Sequence, residues 1–144
     1  MAAIALSRSA ALLLVLACLL PAQQSRAVRD QVAHVGTALS SGNPEEAMTP
    51  FDKSFDNYGR LSDYFSALTN AYTLTNDLEI TGEEIVQHEA TLTIHWIMTL
   101  SDLKTSLSEV RVQDVTVKLA MKKNDWRIVS IAPLAFFDPE IKSK

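Results

Sequence analysis

From Ala90 to Leu100 the chain alternates: Ala90, Leu92, Ile94, Trp96, Met98 and Leu100 are apolar, and Thr91, Thr93, His95, Ile97 and Thr99 stand between them. A period of two sustained over eleven residues is that of a half-buried strand, not of a helix. At about 3.3 Å per residue the strand spans about 36 Å. Two further runs follow it. Val110 and Val112, then Val115, Val117, Leu119 and Met121, alternate with a slip of one residue near Gln113-Asp114, which predicts a β-bulge there. Lys123-Asn124-Asp125 predicts a tight hairpin turn, after which Trp126 to Leu134 returns as the last strand.

Ahead of this region the period is helical. Val28, Val32, Val35 and Leu39 form one apolar stripe, stopped by Ser40-Ser41-Gly42. Asn43-Pro44-Glu45-Glu46 is a helix start: Asn43 caps, Pro44 suits the first position, and Glu46 stands three residues on. Met48, Phe51 and Phe55 carry the apolar face of that second helix, which Pro50 kinks or shortens. A third stripe runs through Leu61, Tyr64, Phe65, Leu68 and Tyr72. Leu78 and Ile80 begin a short strand, with a turn at Thr81-Gly82-Glu83-Glu84. Three helices followed by four antiparallel strands define an α+β domain, with the helices packed on one face of a curved four-stranded sheet.

The charge balance narrows the partners. With 13 Lys and Arg against 17 Asp and Glu, no positive surplus exists to grip a phosphate backbone, so nucleic acid is not an expected partner. The 4 Gly and 5 Pro of 144 residues exclude collagen-like and low-complexity chains.

The N-terminus has a separate character. Ala10 to Leu20 is an unbroken apolar run of eleven residues, preceded by Arg8 and closed by Pro21. A membrane-spanning helix needs about 20 such residues. The run fits the core of a secretory signal peptide, with cleavage after Ala22 or Ala27. Residues 1–27 are accordingly read as the signal and residues 28–144 as the domain, an exported protein of periplasmic or extracellular location with no membrane span once cleaved. Two alternatives compete: lipid anchoring through Cys18, since Val15-Leu16-Ala17-Cys18 is similar to a lipobox, and an uncleaved N-terminal anchor. Residues 1–27 carry Arg8, Arg26 and no acid, so their loss takes the net charge from −4 to −6. The only cysteine leaves with them, which excludes disulfides, thiol nucleophiles and Cys-ligated metals from the domain.

Ala38-Leu39-Ser40-Ser41-Gly42-Asn43-Pro44-Glu45-Glu46-Ala47-Met48 through Phe51, together with Lys122-Lys123-Asn124-Asp125-Trp126-Arg127-Ile128-Val129-Ser130-Ile131, resembles the nuclear transport factor 2-like superfamily over residues 28–137. The resemblance implies a cone in which helices close over a bent sheet around an apolar cavity. It also implies a homodimer formed through the sheet. Members include ketosteroid isomerases, SnoaL-like cyclases, dehydratases and epoxide hydrolases, besides proteins that only bind or dimerise. The isomerases use a tyrosine in the first helix, and the matching position here is close to Val35, with His34 beside it. Their carboxylate-bearing element is shortened here to Phe55-Asp56-Asn57-Tyr58-Gly59.

Candidate chemistry is sparse. His95 could act as acid or base, but it shares a strand face with Thr91, Thr93 and Ile97, opposite a wholly apolar face, and so is read as lying on the outer or dimer-facing side. Asp56 and Asp63 could stand near a cavity mouth. These three are the residues on which a cofactor-independent lyase or isomerase of SnoaL-like type would depend. His88 and His95 are seven apart and point to opposite faces of a continuous strand, so they cannot share a metal ion; neither metal nor cofactor is expected. Phe51, Tyr58, Tyr64, Phe65 and Trp96 are the candidate lining of an apolar ligand pocket. The leading expectation is a non-catalytic module that binds a small apolar molecule or a partner. N-terminal sequencing of protein from the native host tests the export reading: a start at Gln23 or Val28 is expected, and an intact Met1 or a lipid-bearing Cys18 refutes simple secretion.

Overall fold

The computed structural model describes the backbone of residues 2–140 and the side chains of residues 21–140. The side chains of the run Ala10–Leu20, and with them Cys18, lie outside the described residues. The elements are α1 (Ala2–Ser40), α2 (Pro44–Met48), α3 (Tyr58–Ala71), β1 (Tyr72–Val86), β2 (Glu89–Asp102), β3 (Ser108–Lys122), β4 (Asp125–Ala132) and a short 3-10 turn, Leu134–Phe137. The strands form one antiparallel sheet in the order β1-β2-β3-β4. Among the described residues no helix is long and apolar enough to cross a membrane.

The expected long strand is β2, and its inward side chains Leu92, Ile94, Trp96, Met98 and Leu100 are wholly buried. Against them pack Val28, Val32, Val35 and Leu39 of α1 and Leu61, Phe65 and Leu68 of α3, the two stripes expected from their helical spacing. Helix α1 ends in a Schellman cap: Asn43 N donates to Ala38 O at 2.9 Å and Gly42 N to Leu39 O at 3.0 Å, with Gly42 at φ 72°. A close approach of α1 to β1 is possible because residue 36 is glycine; a Cβ there would stand 2.9 Å from Leu78 Cδ1.

Three local expectations are corrected. The second helix stops at Met48 and never carries Phe51 and Phe55 on one face. Asn43 Oδ1 does accept from Glu46 N at 3.1 Å, as its position implied. After Pro50, however, the backbone leaves the helix and runs beside β4: Ile128 N donates to Pro50 O and Asp52 N to Ile128 O, both at 2.8 Å. This long-range pairing leaves no local trace in the sequence.

The second correction concerns Thr81-Gly82-Glu83-Glu84, which is strand and not turn. Ile80 pairs with Ile94 and Gly82 with Thr93, so Thr81 is an extra residue within β1, and the chain reverses only at Gln87-His88. Glycine and acids mark a bulge as readily as they mark a turn.

The third concerns Gln113-Asp114. No bulge exists there, because β3 pairs with β2 in unbroken register from Glu89↔Ala120 to Ser101↔Ser108. Val110 and Val112 therefore lie on the face opposite Val115 and Val117, and are 53% and 56% exposed. Arg111 takes the inward position between them. The irregularity lies in β4, where Lys118↔Ser130 is followed by Leu119↔Ile128 and Val129 is the extra residue. The expected hairpin turn does form, with Lys123 and Asn124 at φ 50° and 68°, as a two-residue connection between right-twisted strands requires.

Packing against the sheet begins before Val28. Ala27 lies on the core, and Glu83 of β1 accepts from Ser25 Oγ at 2.9 Å and from Arg29 Nε at 2.7 Å. The Arg29 hydrogen bond holds the Glu83 carboxyl below the usual glutamate range; burial opposes this and Ser25 adds to it. A depressed folded-state pKa contributes stability above the unfolded value, and that contribution fades as pH falls through the folded value. Glu83→Gln is expected to lower the urea midpoint near neutral pH by less than about 1 kcal/mol equivalent, because the pair is exposed, and the gap to the wild type should close in acid. A gap that persists unchanged in acid would show that the ion pair is not its cause.

Candidate functional site

Inside the sheet the aromatic rings form a connected set. Phe51 meets Phe65 at 6.2 Å between centroids, Phe65 meets Phe137 at 5.5 Å, and Trp96 meets Phe137 at 5.2 Å and Phe136 at 6.0 Å. All four pairs are edge-to-face, the arrangement that the ring quadrupoles favour. Of the residues expected to line a pocket, Phe51, Phe65 and Trp96 are therefore packed within the core, and Tyr58 and Tyr64 are half-buried against it. Phe136 and Phe137 were not singled out from the sequence. They come from the turn after β4, and two adjacent phenylalanines beyond Pro133 were the available signal.

The polar groups of the interior are few. Trp96 Nε1 donates to Asn76 Oδ1 at 2.9 Å, and the Asn76 backbone and side-chain nitrogens both donate to Ser40 Oγ at 3.1 Å. Arg111 is 6% exposed, the one buried charged side chain among the described residues. Its Nη1 donates to Phe136 O at 3.0 Å and Asp138 O at 2.7 Å, and its Nε to Glu109 Oε1 at 3.2 Å. Sequence reading missed Arg111 because the apparent slip at Gln113-Asp114 hid its phase. An unbroken period of two places it with Val115, Val117 and Leu119.

The three proton-transfer candidates do not converge. His95 lies on the outer side, its Nδ1 3.0 Å from Asp114 Oδ1. Asp56 is exposed in the segment ahead of α3, and Asp63 is exposed on α3. His34 joins α1 to α2 through Glu46 Oε1 at 3.0 Å. Among the described residues no group of three or more His, Cys, Asp or Glu side chains could hold a metal ion.

The surface concavity beside the β3–β4 turn is rich in charge. Asp52, Lys122, Lys123, Asp125 and Arg127 line an open space of about 420 Å³ beside the β3–β4 turn. Asp52 is held below the usual aspartate range, first by the Ser54 hydroxyl and then by the Ser54 backbone N–H, with smaller contributions from Lys122 and Arg127. Its carboxylate is thus already engaged by its own loop.

No protein-family profile and no curated protein matches the sequence. Solved structures share its fold. A nuclear transport factor 2-like protein from Salmonella enterica is similar at 8% identity and TM-score 0.65, over 77% of this chain and 89% of that one. A nuclear transport factor 2-like protein with a cystatin-like fold from Novosphingobium aromaticivorans is similar at 16% identity and TM-score 0.66, over 81% and 84%. A ketosteroid isomerase-like protein from Erwinia carotovora is similar at 8% identity and TM-score 0.64, over 74% and 91%. The fold is thus nuclear transport factor 2-like, α+β, as the two sequence segments implied.

Core and surface roles separate in a stability measurement. Phe137→Ala is expected to cost about 3–5 kcal/mol in urea unfolding, as for a fully buried ring, and His95→Ala less than about 1 kcal/mol. Equal costs would contradict this placement of the two residues.

Proposed function

We propose that this chain is an exported, non-catalytic binding and interaction module that pairs with a second copy through the outer face of its sheet and takes a small apolar molecule in its interior. The observation that carries the pairing is the outer face itself. Val112, 56% exposed, stands opposite Ile97, with Val110 beside them on the same face. Leu103 and Leu107, 59% and 72% exposed, continue the patch at the adjoining hairpin. Exposed apolar clusters of this kind mark association surfaces, and the His95–Asp114 pair at the patch margin supplies a polar rim. A two-fold pairing would set each copy's patch against its equivalent.

The aromatic interior supports the ligand half of the proposal, and the apolar run before Pro21 supports export. Proton transfer of the lyase or isomerase kind draws no support from the geometry, because His95, Asp56 and Asp63 neither meet one another nor join the interior aromatic set. Native mass spectrometry of protein isolated under mild conditions tests both halves. A dimer is expected for the wild type and a folded monomer for Val112→Glu. A wild-type monomer carrying no small molecule would overturn the proposal.

A further inference from the structure

The segment after β4 closes the interior in an unusual manner. Its backbone hydrogen bonds among the described residues are local: Phe136 N to Pro133 O at 3.2 Å and Asp138 N to Ala135 O at 3.1 Å. What fastens it to the domain is side-chain work: the Phe136 and Phe137 rings on Trp96 and Phe65, and the Arg111 guanidinium on two of its carbonyl oxygens. The segment thus presents the domain with an aromatic body followed by oxygen acceptors.

We infer that Leu134–Glu140 occupies a binding site for an aryl carboxylic acid, with Arg111 as the anchor of the carboxylate and the Trp96–Phe65 wall as the receptor of the ring. This inference rests on the interior-ligand reading above and adds its chemical class. An incoming aromatic acid sets its ring system in the space that the Phe136 and Phe137 rings leave as the segment withdraws. It also exchanges neutral carbonyls on Nη1 for an anion, and a charge-assisted bond to guanidinium is the stronger of the two. Glu109 engages Nε, so the exchange takes place on the Nη1 side, where Phe136 O and Asp138 O now sit. Arg111 is the one buried charged side chain among the described residues, so a neutral ligand of the same shape only replaces one neutral acceptor on Nη1 by another.

The full chain is titrated with 2-naphthoate and with its uncharged analogue 2-naphthamide. Binding is followed by the Trp96 indole N–H resonance and by hydrogen exchange of residues 134–140. The acid is expected to bind about tenfold more tightly than the amide or better, and to speed exchange in 134–140. Arg111→Gln, which removes the charge but keeps an N–H donor, should remove the acid's advantage over the amide. Phe136→Ala, which vacates a ring position, should strengthen both. Equal affinity of acid and amide for the wild type overturns the acid class but leaves the apolar-ligand reading standing, and this comparison needs no variant. An acid preference that survives in folded Arg111→Gln overturns the role of Arg111. Failure of both probes to move the Trp96 signal, in the wild type and in Phe136→Ala, overturns the ligand reading together with this inference.

Discussion

The indole of Trp96 is held from three directions. Its N–H is bonded to Asn76 on β1, Asn76 is bonded to Ser40 at the end of α1, and its ring is flanked by Phe136 and Phe137. A buried indole must satisfy its donor, and here the acceptor is a side chain whose own amide nitrogen reaches the neighbouring helix. One residue therefore fixes how α1 lies across β1, where β2 sits in the sheet, and where the chain after β4 comes to rest. Replacing the ring would leave an asparagine without its partner and two phenylalanines without their wall.

The two faces of the sheet divide the molecule. The inner face is apolar and buried, with charge admitted among the described residues once, at Arg111, where the acceptors are backbone carbonyls and Glu109. The outer face carries threonines, the His95–Asp114 pair and the exposed valines of β3. Titratable groups thus collect where water reaches them, and the interior is left to shape and to one cation. Proton transfer needs an acid and a base within reach of one reacting atom, and His95, Asp56 and Asp63 are not brought together.

What could be read from the sequence is what depends on local period. The β2 alternation, the α1 stripe, the Asn43-Pro44 start and the Lys123-Asn124 turn are each decided within a few residues, and each appears where its pattern placed it. The misread features depend on partners distant in the chain. Thr81 becomes a bulge because of what β2 offers opposite it, and α2 ends early because Pro50 and Asp52 bond to Ile128. Arg111 was hidden for a related reason: two valines on the outer face imitate a core pattern, and only the register with β2 reveals that the cation between them points inward. For the site, Trp96, Phe65 and Phe51 were legible as aromatic positions. Their confinement by Phe136 and Phe137 was not, since it requires the segment after β4 to fold back beneath β2 and β3.

The margin of the sheet at β1 bears on how copies could assemble. This strand has fifteen residues and, among the described residues, no strand beyond it, the geometry from which open-ended fibres grow. Ser40 takes the Asn76 N–H that a neighbouring strand would otherwise bind, and Asp77, Glu79 and Glu84 line the strand with like charge. Edge-to-edge addition of a second copy would have to displace a helix end and crowd acids together. Contact through the outer face leaves that helix end in place, and a two-fold contact is exhausted after two molecules. The Ser40 contact on β1 therefore guards the sheet edge against strand-by-strand growth into filaments.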